Sequence, residues 1–323
     1  MTRAPRRRPT ARVARFVLGT LLALGVLSPW IAPRSPDLQE DVAGSRLLPP
    51  LTGAYALHLE PERLRIVTRL RRTAEGWEYL RAGRAETIEG RLLISPPSPR
   101  FYLLGTDTLG RDLTSRLLYG LRRSAGVVAL AVALALLVGS AVGALCGLAG
   151  GWTDAVVMRG VDLLLSIPRL LLFLLLATRF EPSGPLLVLV LGGTTWTGLA
   201  RIVRAETMSL KQSELLTAAR AVGAPVARLW IRHLLPQLGP VLAVAAALRF
   251  ADTLILESAL SFLGLGAPPP AVSLGGILAA GREPLGEGWW VVFWPGVLIT
   301  TLVLTLRSAV ATLFSEQEPA SMA

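Results

Sequence analysis

Cysteine, histidine and lysine are nearly absent from this sequence of 323 residues. It has one cysteine, Cys146, two histidines, His58 and His233, and one lysine, Lys211, beside 32 arginines. A single cysteine excludes an internal disulfide, and its Gly- and Ala-rich surroundings indicate a small packing residue. The sequence contains no Cys–His metal cluster, no GxSxG nucleophile elbow and no phosphate-binding P-loop. We therefore predict no catalytic residue, no metal site and no cofactor.

Charged residues are scarce as well. Only 17% of the residues are charged and 52% are hydrophobic, with a mean hydropathy of +0.53, whereas about a quarter of a soluble chain is charged. Charge-free runs of membrane length cover residues 16–33, 124–153, 182–200 and 288–306. A bilayer core takes about 20 apolar helical residues. These runs exclude an ordinary soluble protein and predict a multi-span membrane protein.

Six transmembrane helices are predicted in an all-α polytopic fold, at residues 16–33, 124–149, 158–178, 185–201, 238–260 and 289–311. Residues 1–15 carry six arginines and no acid, and residues 201–236 carry six basic residues against two acids. Because cytoplasmic segments are rich in Arg and Lys, both segments and both termini are predicted to be cytoplasmic. No small-x-small cleavage site follows the first apolar run, which favours an uncleaved span over a signal peptide.

The segment between the first two spans, residues 34–104, is predicted to be a small extracytoplasmic insertion. Residues 34–123 hold fifteen arginines, but they also hold eleven acids, and loops longer than about 60 residues escape the charge rule. Arg122 and Arg123, beside the second span, still depart from it. Alternating apolar residues at 64–70 and 86–94 predict two short strands in a partly ordered β subdomain.

The segment between spans four and five has the pattern of two helices joined by a glycine turn. An apolar stripe predicts a helix over residues 206–222, and Gly223 stands where a helix stop is expected. Pro225 suits the first turn of a second helix, over residues 226–235, which is predicted to end at Pro236. Connecting segments of this length are uncommon unless they have a function. Two short amphipathic helices outside the membrane predict a docking surface for another protein.

The same residues resemble a known family. Thr217–Gly223 (TAARAVG) followed by Arg232–Pro236 (RHLLP) is similar to the cytoplasmic EAA loop of ABC importer permeases. His233 before the final Leu-Leu-Pro resembles the dipeptide, oligopeptide and nickel branch. In that family the loop docks into a cleft on the ATPase subunit. The resemblance implies an ATPase-coupling role for Glu214, Thr217, Ala218, Ala219, Gly223, His233 and Pro236.

Further sequence blocks match the same family in order and spacing over residues 105–300. They resemble its C-type, second permease subunit. They are residues 105–112 and 115–120, residues 150–154 with Met158, Arg159, Asp162 and Pro168, residues 196–210, residues 257–269 with Gly275, and residues 289–296. The chain departs from the family at four places. Thr217 replaces the Glu that names the loop, Gln237 replaces an Asn, Leu274 replaces a Trp, and the polar C-terminal ending is missing.

The resemblance implies the partners of this chain. They are a second permease subunit, two ATP-binding subunits that hydrolyse ATP, and an extracytoplasmic solute-binding protein, at the bacterial cytoplasmic (inner) membrane. The implied cargo is a peptide, with nickel or another small solute as the alternative. Nucleic acid is not expected despite the net charge of +11, because no basic face interleaved with aromatics is present.

The resulting organisation divides the chain into five parts. A basic N-terminus (1–15) precedes the first span (16–33) and the insertion (34–104). A permease domain (105–315) contains the coupling loop (201–236) and is followed by a tail (316–323).

Charges inside the predicted spans are candidates for function, because burying them in a bilayer is costly. Arg249 and Asp252 are three residues apart and can pair on one helix face, either as a neutralised structural pair or as part of a polar translocation path. Asp162 is predicted to pair with Arg159 near the cytoplasmic edge. Glu257 belongs to a block shared with the family and is expected near the outer gate.

Two other classes of function are open. An integral-membrane enzyme would need a Ser/His or paired-Asp constellation at one membrane depth, and the sequence shows none. A receptor or scaffold would use the 34–104 insertion as its working part.

Overall fold

A computed structural model describes residues 9–60, 63–74, 76–225 and 228–317. The predictions for residues 1–8 and 318–323, within the N-terminus and the tail, lie outside the described residues. Three helices precede or flank the insertion: α1 (Pro9–Val26), α2 (Ser28–Ile31) and α3 (Val42–Ser45). The later helices are α4 (Leu113–Ala149), α5 (Gly151–Ser166), α6 (Arg169–Ala177), α7 (Gly184–Leu210), α8 (Glu214–Ala221), α9 (Leu235–Phe262), α10 (Leu274–Ala280) and α11 (Trp290–Gln317).

Four helical stretches of the described chain are long and apolar enough to cross a membrane. They are 113–149, 184–210, 229–262 and 290–311, and a shorter apolar helix covers 13–26. The fold is therefore mainly helical and polytopic, as predicted. We call the end of the bundle next to residues 34–104 the insertion end, and the end next to α8 the loop end.

The second span is longer than predicted. Its helix was expected to begin at residue 124, where the charge-free run starts, but α4 begins at Leu113. The carboxylate of Asp112 accepts a hydrogen bond from the backbone N–H of Ser115 at 2.8 Å, which caps the first turn. A capping carboxylate thus starts the helix about three turns before the apolar run.

The third span, predicted as one helix over residues 158–178, is broken. Helix α5 ends at Ser166, α6 begins at Arg169, and Ile167 between them is extended with φ −82° and ψ 121°. Pro168 causes the break, because it has no N–H to donate and excludes the preceding residue from the helical region.

Glycines allow α4 and α7 to pack closely. Gly139, Gly143 and Gly147 lie four residues apart on α4, so they share one face of the helix. A Cβ atom on Gly143 would lie 2.5 Å from the carbonyl oxygen of Ala200 on α7, and one on Gly147 would lie 2.7 Å from Thr207 Cβ. Only a residue without a side chain fits at these approaches.

The insertion folds as one antiparallel sheet with strand order β4-β3-β2-β1-β5. Predicted strand 64–70 lies within β2 (Arg63–Arg72), and 86–94 divides into the end of β4 (Arg84–Glu89) and a 3₁₀ turn (Gly90–Leu92). The remaining strands are β1 (Thr52–Glu60), β3 (Gly76–Arg81) and β5 (Ser98–Tyr102). Each face carries a small apolar core, one including Ala56, Ile66 and Tyr102 and the other Leu57, Val67 and Tyr79.

Two chain segments beside the sheet attach it to the helices. Leu48 N–H donates to Thr106 Oγ1 at 2.7 Å, and Thr106 N–H donates to Leu48 O at 3.0 Å. The indole Nε1 of Trp290, at the start of α11, donates to Thr106 O at 3.0 Å. The attachment therefore uses residues outside the five strands.

Candidate functional site

Buried leucines anchor the loop between α7 and α9, and Leu216 is the one on α8. Ser213 caps α8 from the position before the helix: its Oγ accepts from Leu216 N–H at 3.4 Å, and its carbonyl oxygen accepts from Thr217 Oγ1 at 3.0 Å. Leu216 is fully buried in a cluster with Ala144, Val203, Leu234 and Leu238. This cluster joins α8 to α4, α7 and α9, so α8 cannot move without moving its neighbours.

The opposite face of α8 is exposed. Leu215, Ala218 and Val222 recur at spacings of three and four and therefore lie on one face. Val222 is 88% exposed and Leu215 is 52% exposed. We call Leu215, Ala218 and Val222 the apolar edge. Neighbouring apolar side chains that are this exposed indicate a contact surface of the molecule.

The helix boundaries in this loop differ from the prediction. The helix predicted over residues 206–222 is divided, because α7 continues through Leu210 and α8 starts only at Glu214. Gly223 follows α8 with φ +80°, the left-handed conformation that ends a helix, as predicted. The second predicted helix does not end at Pro236. A π-helical segment, Leu229–Leu234, leads directly into α9, and Pro236 lies in the first turn of α9, where no intrahelical N–H is needed.

The remaining predicted loop residues lie around this cluster. Glu214 and Thr217 are exposed neighbours on α8, and Ala219 is half-buried. His233 lies in the π-helical segment, and its carbonyl oxygen accepts from Gln237 Nε2 at 3.0 Å. The structure thus gathers these predicted residues at the loop end.

The predicted pair between Arg249 and Asp252 is wrong. Asp252 Oδ1 instead accepts from Arg307 Nη2, on α11, at 2.8 Å. The guanidinium of Arg249 lies over Gly198 of α7, where an added Cβ would be 2.7 Å from Nη2. Spacing along α9 suggested Arg249 as the partner of Asp252, but the actual partner, Arg307, lies on the neighbouring helix α11. Arg307 could have been found as the arginine within predicted span six.

The predicted pair between Asp162 and Arg159 is also wrong, because Asp162 pairs with Arg201 of α7. Closer to the loop end, the carboxylate of Asp154 accepts hydrogen bonds from Nε and Nη2 of Arg204. These two ion pairs join α5 to α7 in the loop-end half of the bundle.

Glu257 is the centre of a buried polar cluster near the insertion end. It is 1% exposed, and one carboxylate oxygen accepts from Ser261 Oγ at 2.9 Å. Ser124 of α4 accepts from Leu274 N–H, at the start of α10, at 3.2 Å. The cluster connects α4, α9 and α10 through hydroxyl groups.

A cleft of about 1070 Å³ opens at the insertion end between α4 and α7. Arg122 and Arg123, the two arginines that departed from the charge rule, line it together with Tyr119, Asp37 and apolar residues.

Among the described residues, no group of three or more His, Cys, Asp or Glu is placed to hold a metal ion.

Comparison with known proteins agrees with this architecture. Residues 139–317 match the family described as "Binding-protein-dependent transport system inner membrane component". The chain is 35% identical over 233 residues to a peptide transport system permease protein of Brucella suis, covering 71% of this chain and 77% of that protein. It is 33% identical over 238 residues to the oligopeptide transport system permease protein OppC of Mycobacterium tuberculosis, covering 73% of this chain and 81% of that protein.

The family match covers the part of the helical bundle that carries the loop and the ion pairs of Asp154, Asp162 and Asp252. The relatives are named as permease proteins of peptide and oligopeptide transport systems, and the matching family is described as an inner membrane component. The chain therefore belongs to the binding-protein-dependent transport permeases, as a multi-pass inner-membrane permease of the peptide family of ABC importers.

Proposed function

We propose that this chain is the C-type subunit of a peptide importer and forms half of its translocation path. Its partners are a second permease subunit, two ATP-binding subunits that hydrolyse ATP, and an extracytoplasmic solute-binding protein. Peptide is the proposed cargo because the similar permeases are named for peptide and oligopeptide transport. The observation that carries the proposal is the apolar edge, which is exposed on a helix whose other face is locked into the bundle.

Coupling follows from the position of Leu216. A subunit that presses on the apolar edge acts through Leu216 on the cluster that also contains Val203 of α7 and Leu238 of α9. Packed cores transmit such displacements instead of absorbing them. Closure of the ATP-binding subunits therefore reaches both helices at their loop ends and alternates the opening of the path.

Thr217, which stands in place of the family's Glu, is exposed beside Glu214 on α8. Positions three apart on a helix are neighbours, so Glu214 offers a carboxylate to the ATP-binding subunit close to the position where the family has one. Ala219, Gly223, His233 and Pro236 complete the coupling loop by shaping its turn and the entry into α9.

We place the loop end in the cytoplasm, together with both termini, and residues 34–104 outside. The abundance of Arg and Lys in 1–15 and 201–236 supports this orientation. It divides the chain into the N-terminus (1–15), the first span (16–33), the insertion (34–104), the permease domain (105–315) and the tail (316–323). Glu257 then belongs to the outer gate, and Arg249 and Asp252 to the path.

The test is Ala218→Arg, with Gly223→Pro as a second variant, in the complete transporter reconstituted in proteoliposomes. A guanidinium on the apolar edge prevents close contact with the ATP-binding subunit, and proline cannot adopt the φ of +80° at residue 223. Both variants should insert normally, while peptide uptake falls at least about tenfold because hydrolysis and transport are uncoupled.

Ala85→Arg, an exposed alanine on β4, is the matched control and should transport normally. Normal peptide uptake by Ala218→Arg would remove the coupling role from the apolar edge.

A further inference from the structure

Two arginines beside the second span have no role in the function described above. Arg122 and Arg123 lie on α4 directly before the charge-free run 124–153, on the side where the charge rule predicts few basic residues. A charge-free run begins where a span enters the hydrocarbon core, so both guanidinium groups lie at the level of the lipid headgroups at the insertion end. Tyr119, one turn earlier, is the kind of residue that occupies this level.

Both arginines line the cleft of about 1070 Å³ between α4 and α7. Arg123 reaches from α4 to the start of α7, since its Nη2 lies 3.9 Å from the position that a Cβ atom on Gly184 would take. The first turn of α7 adds the partial positive charge of a helix N-terminus to the same region. The two helices thus meet around a cationic mouth.

The mouth of the cleft carries more positive than negative charge. Neither Arg122 nor Arg123 makes an ion pair in the part of the chain that the structure describes. Asp37, the acid in the lining, lies 4.0 Å from Arg116. Glu257, which Arg123 influences electrostatically, is buried among hydroxyl groups. Both guanidinium groups are exposed and can contact an anion in the cleft.

Below the arginines the cleft is apolar. Leu130 lies about 10 Å below them on α4, and Leu189 lies about 8 Å below the start of α7, at 1.5 Å per residue. Each of these leucines is 62% exposed. At Gly126, between the arginines and Leu130, no atom lies within 4 Å of the Cβ position, so the apolar part of the cleft is open. Cations at headgroup level above an open apolar wall match the two ends of a phospholipid.

A peptide in transit fits this cleft less well. Its backbone N–H and C=O groups need hydrogen-bond partners along their whole length. The polar side chains of the lining all belong to the mouth, namely Ser35, Asp37, Tyr119, Arg122 and Arg123. An acyl chain needs no such partners at the depth of the leucines.

We propose that this cleft binds an anionic phospholipid of the leaflet at the insertion end. Arg122 and Arg123 hold its phosphate by charge-assisted hydrogen bonds, and an acyl chain lies against Leu130 and Leu189. The excess of positive charge at the mouth repels the choline of a zwitterionic lipid and selects a headgroup with a net negative charge. This role accounts for the two arginines that depart from the charge rule, and it does not depend on the proposed cargo or partners.

The test measures lipid affinity by native mass spectrometry, on the full-length chain purified in detergent with its co-purifying subunits. Delipidated protein is titrated with dioleoylphosphatidylglycerol, with dioleoylphosphatidylcholine, or with glycerol phosphate, which offers a phosphate without acyl chains. The wild type should bind phosphatidylglycerol at least about tenfold more tightly than phosphatidylcholine. Glycerol phosphate should not displace the bound lipid, because it lacks the apolar contacts.

Arg122→Gln and Arg123→Gln should each weaken phosphatidylglycerol binding about fivefold, and the double variant about thirtyfold, since a basic side chain near the headgroups contributes a factor of about five. Lysine at both positions should keep most of the affinity. Gly126→Leu fills the open apolar part and should weaken the binding of both lipids, while its Cβ meets no neighbour. Arg84→Gln, at an exposed arginine on the sheet, is the control and should bind like the wild type.

Three results would overturn the proposal. They are equal affinity of the wild type for the two lipids, unchanged phosphatidylglycerol affinity in the double Gln variant, and displacement of phosphatidylglycerol by glycerol phosphate, which would make the cleft a site for a soluble anion. Release of a co-purifying permease subunit by Gly126→Leu would also contradict it, because the cleft would then be a protein interface.

Discussion

Asp41 is the residue on which the insertion depends most. Its carboxylate accepts from Gly44 N–H at 3.2 Å, from Ile66 N–H at 2.9 Å, and from Nε and Nη2 of Arg81 at 3.1 and 2.9 Å. Burial raises the pKa of Asp41, but the hydrogen bonds from Arg81, Ile66 and Gly44 outweigh burial and hold the pKa below its usual value. One side chain thus joins α3, β2 and β3.

Asp41→Ala should destabilise the sheet by about 3 kcal/mol, because it leaves Arg81 and the buried Ile66 N–H without their acceptor. Hydrogen exchange of β2 and β3 measures this in the purified transporter. Protection at pH 7 should fall about a hundredfold. Asp37→Asn is the control: Asp37 is 44% exposed and 4.0 Å from Arg116, and protection should hold.

The same carboxylate makes the stability of the sheet dependent on pH. Since the folded pKa of Asp41 is lowered, its contribution is complete above the ordinary value of 3.8 and is lost as the pH falls through the folded pKa. Protection of β2, corrected for intrinsic exchange, should therefore decrease on acidification below pH 3.8 in the wild type. Asp41→Ala should lack this part of the pH dependence.

Residue partners were the part of the structure that the sequence predicted least well. Asp252 was assigned to Arg249 by helical spacing, but it pairs with Arg307, 55 positions away in sequence. Asp41 and Arg81 are similarly distant, and neither was predicted as a site. Periodicity reports which face of a helix a residue occupies, whereas the partner depends on which helices pack together.

At the level of elements, apolar runs located the spans but not their ends. Asp112 starts α4 before its apolar run, and Pro168 breaks span three within its apolar run. Both effects come from single residues, an aspartate that caps a helix and a proline that breaks one. A hydropathy profile registers neither effect. The turn at Gly223 was predicted because a glycine after an apolar stripe is a local signal, although Leu216, which is buried on α8, was not among the predicted residues.

The packing of α4 on α7 gives a prediction at this scale. Gly143→Ala should lower the Tm of the purified transporter by about 2 °C or more, because the new Cβ meets Ala200 O at 2.5 Å and Val203 Cβ at 2.8 Å. Gly126→Ala is the matched control on the same helix, since nothing lies within 4 Å of its Cβ position. Alanine is the better helix former, so Gly126→Ala should keep or raise the Tm.

A Gly143→Ala protein as stable as the wild type would mean that α4 and α7 can separate without cost. The glycines would then serve flexibility instead of close packing.

For the whole molecule, the question is whether the sheet is part of the transport machinery or an addition to it. The two chain ends that leave the sheet meet: Leu51 N–H donates to Leu103 O at 3.1 Å. The contacts that hold this junction to the bundle, from Leu48 and Trp290 to Thr106, lie outside residues 52–102. The sheet can therefore be removed without cutting the bundle.

On the proposed function, replacing residues 52–102 by two glycines should leave a permease that still associates with a second permease and with ATP-binding subunits, and these ATP-binding subunits should still hydrolyse ATP. The bundle keeps its own anchors on the 34–50 segment, including Arg116 Nη1 to Pro36 O at 3.2 Å and Arg34 N–H to Ser115 Oγ at 3.1 Å. Co-purification and ATPase activity in proteoliposomes measure the outcome. A receptor that works through its insertion would lose its activity with the sheet. In the proposed transporter, by contrast, the cargo moves through the helices, and the apolar edge of α8 lies at the opposite end of the bundle.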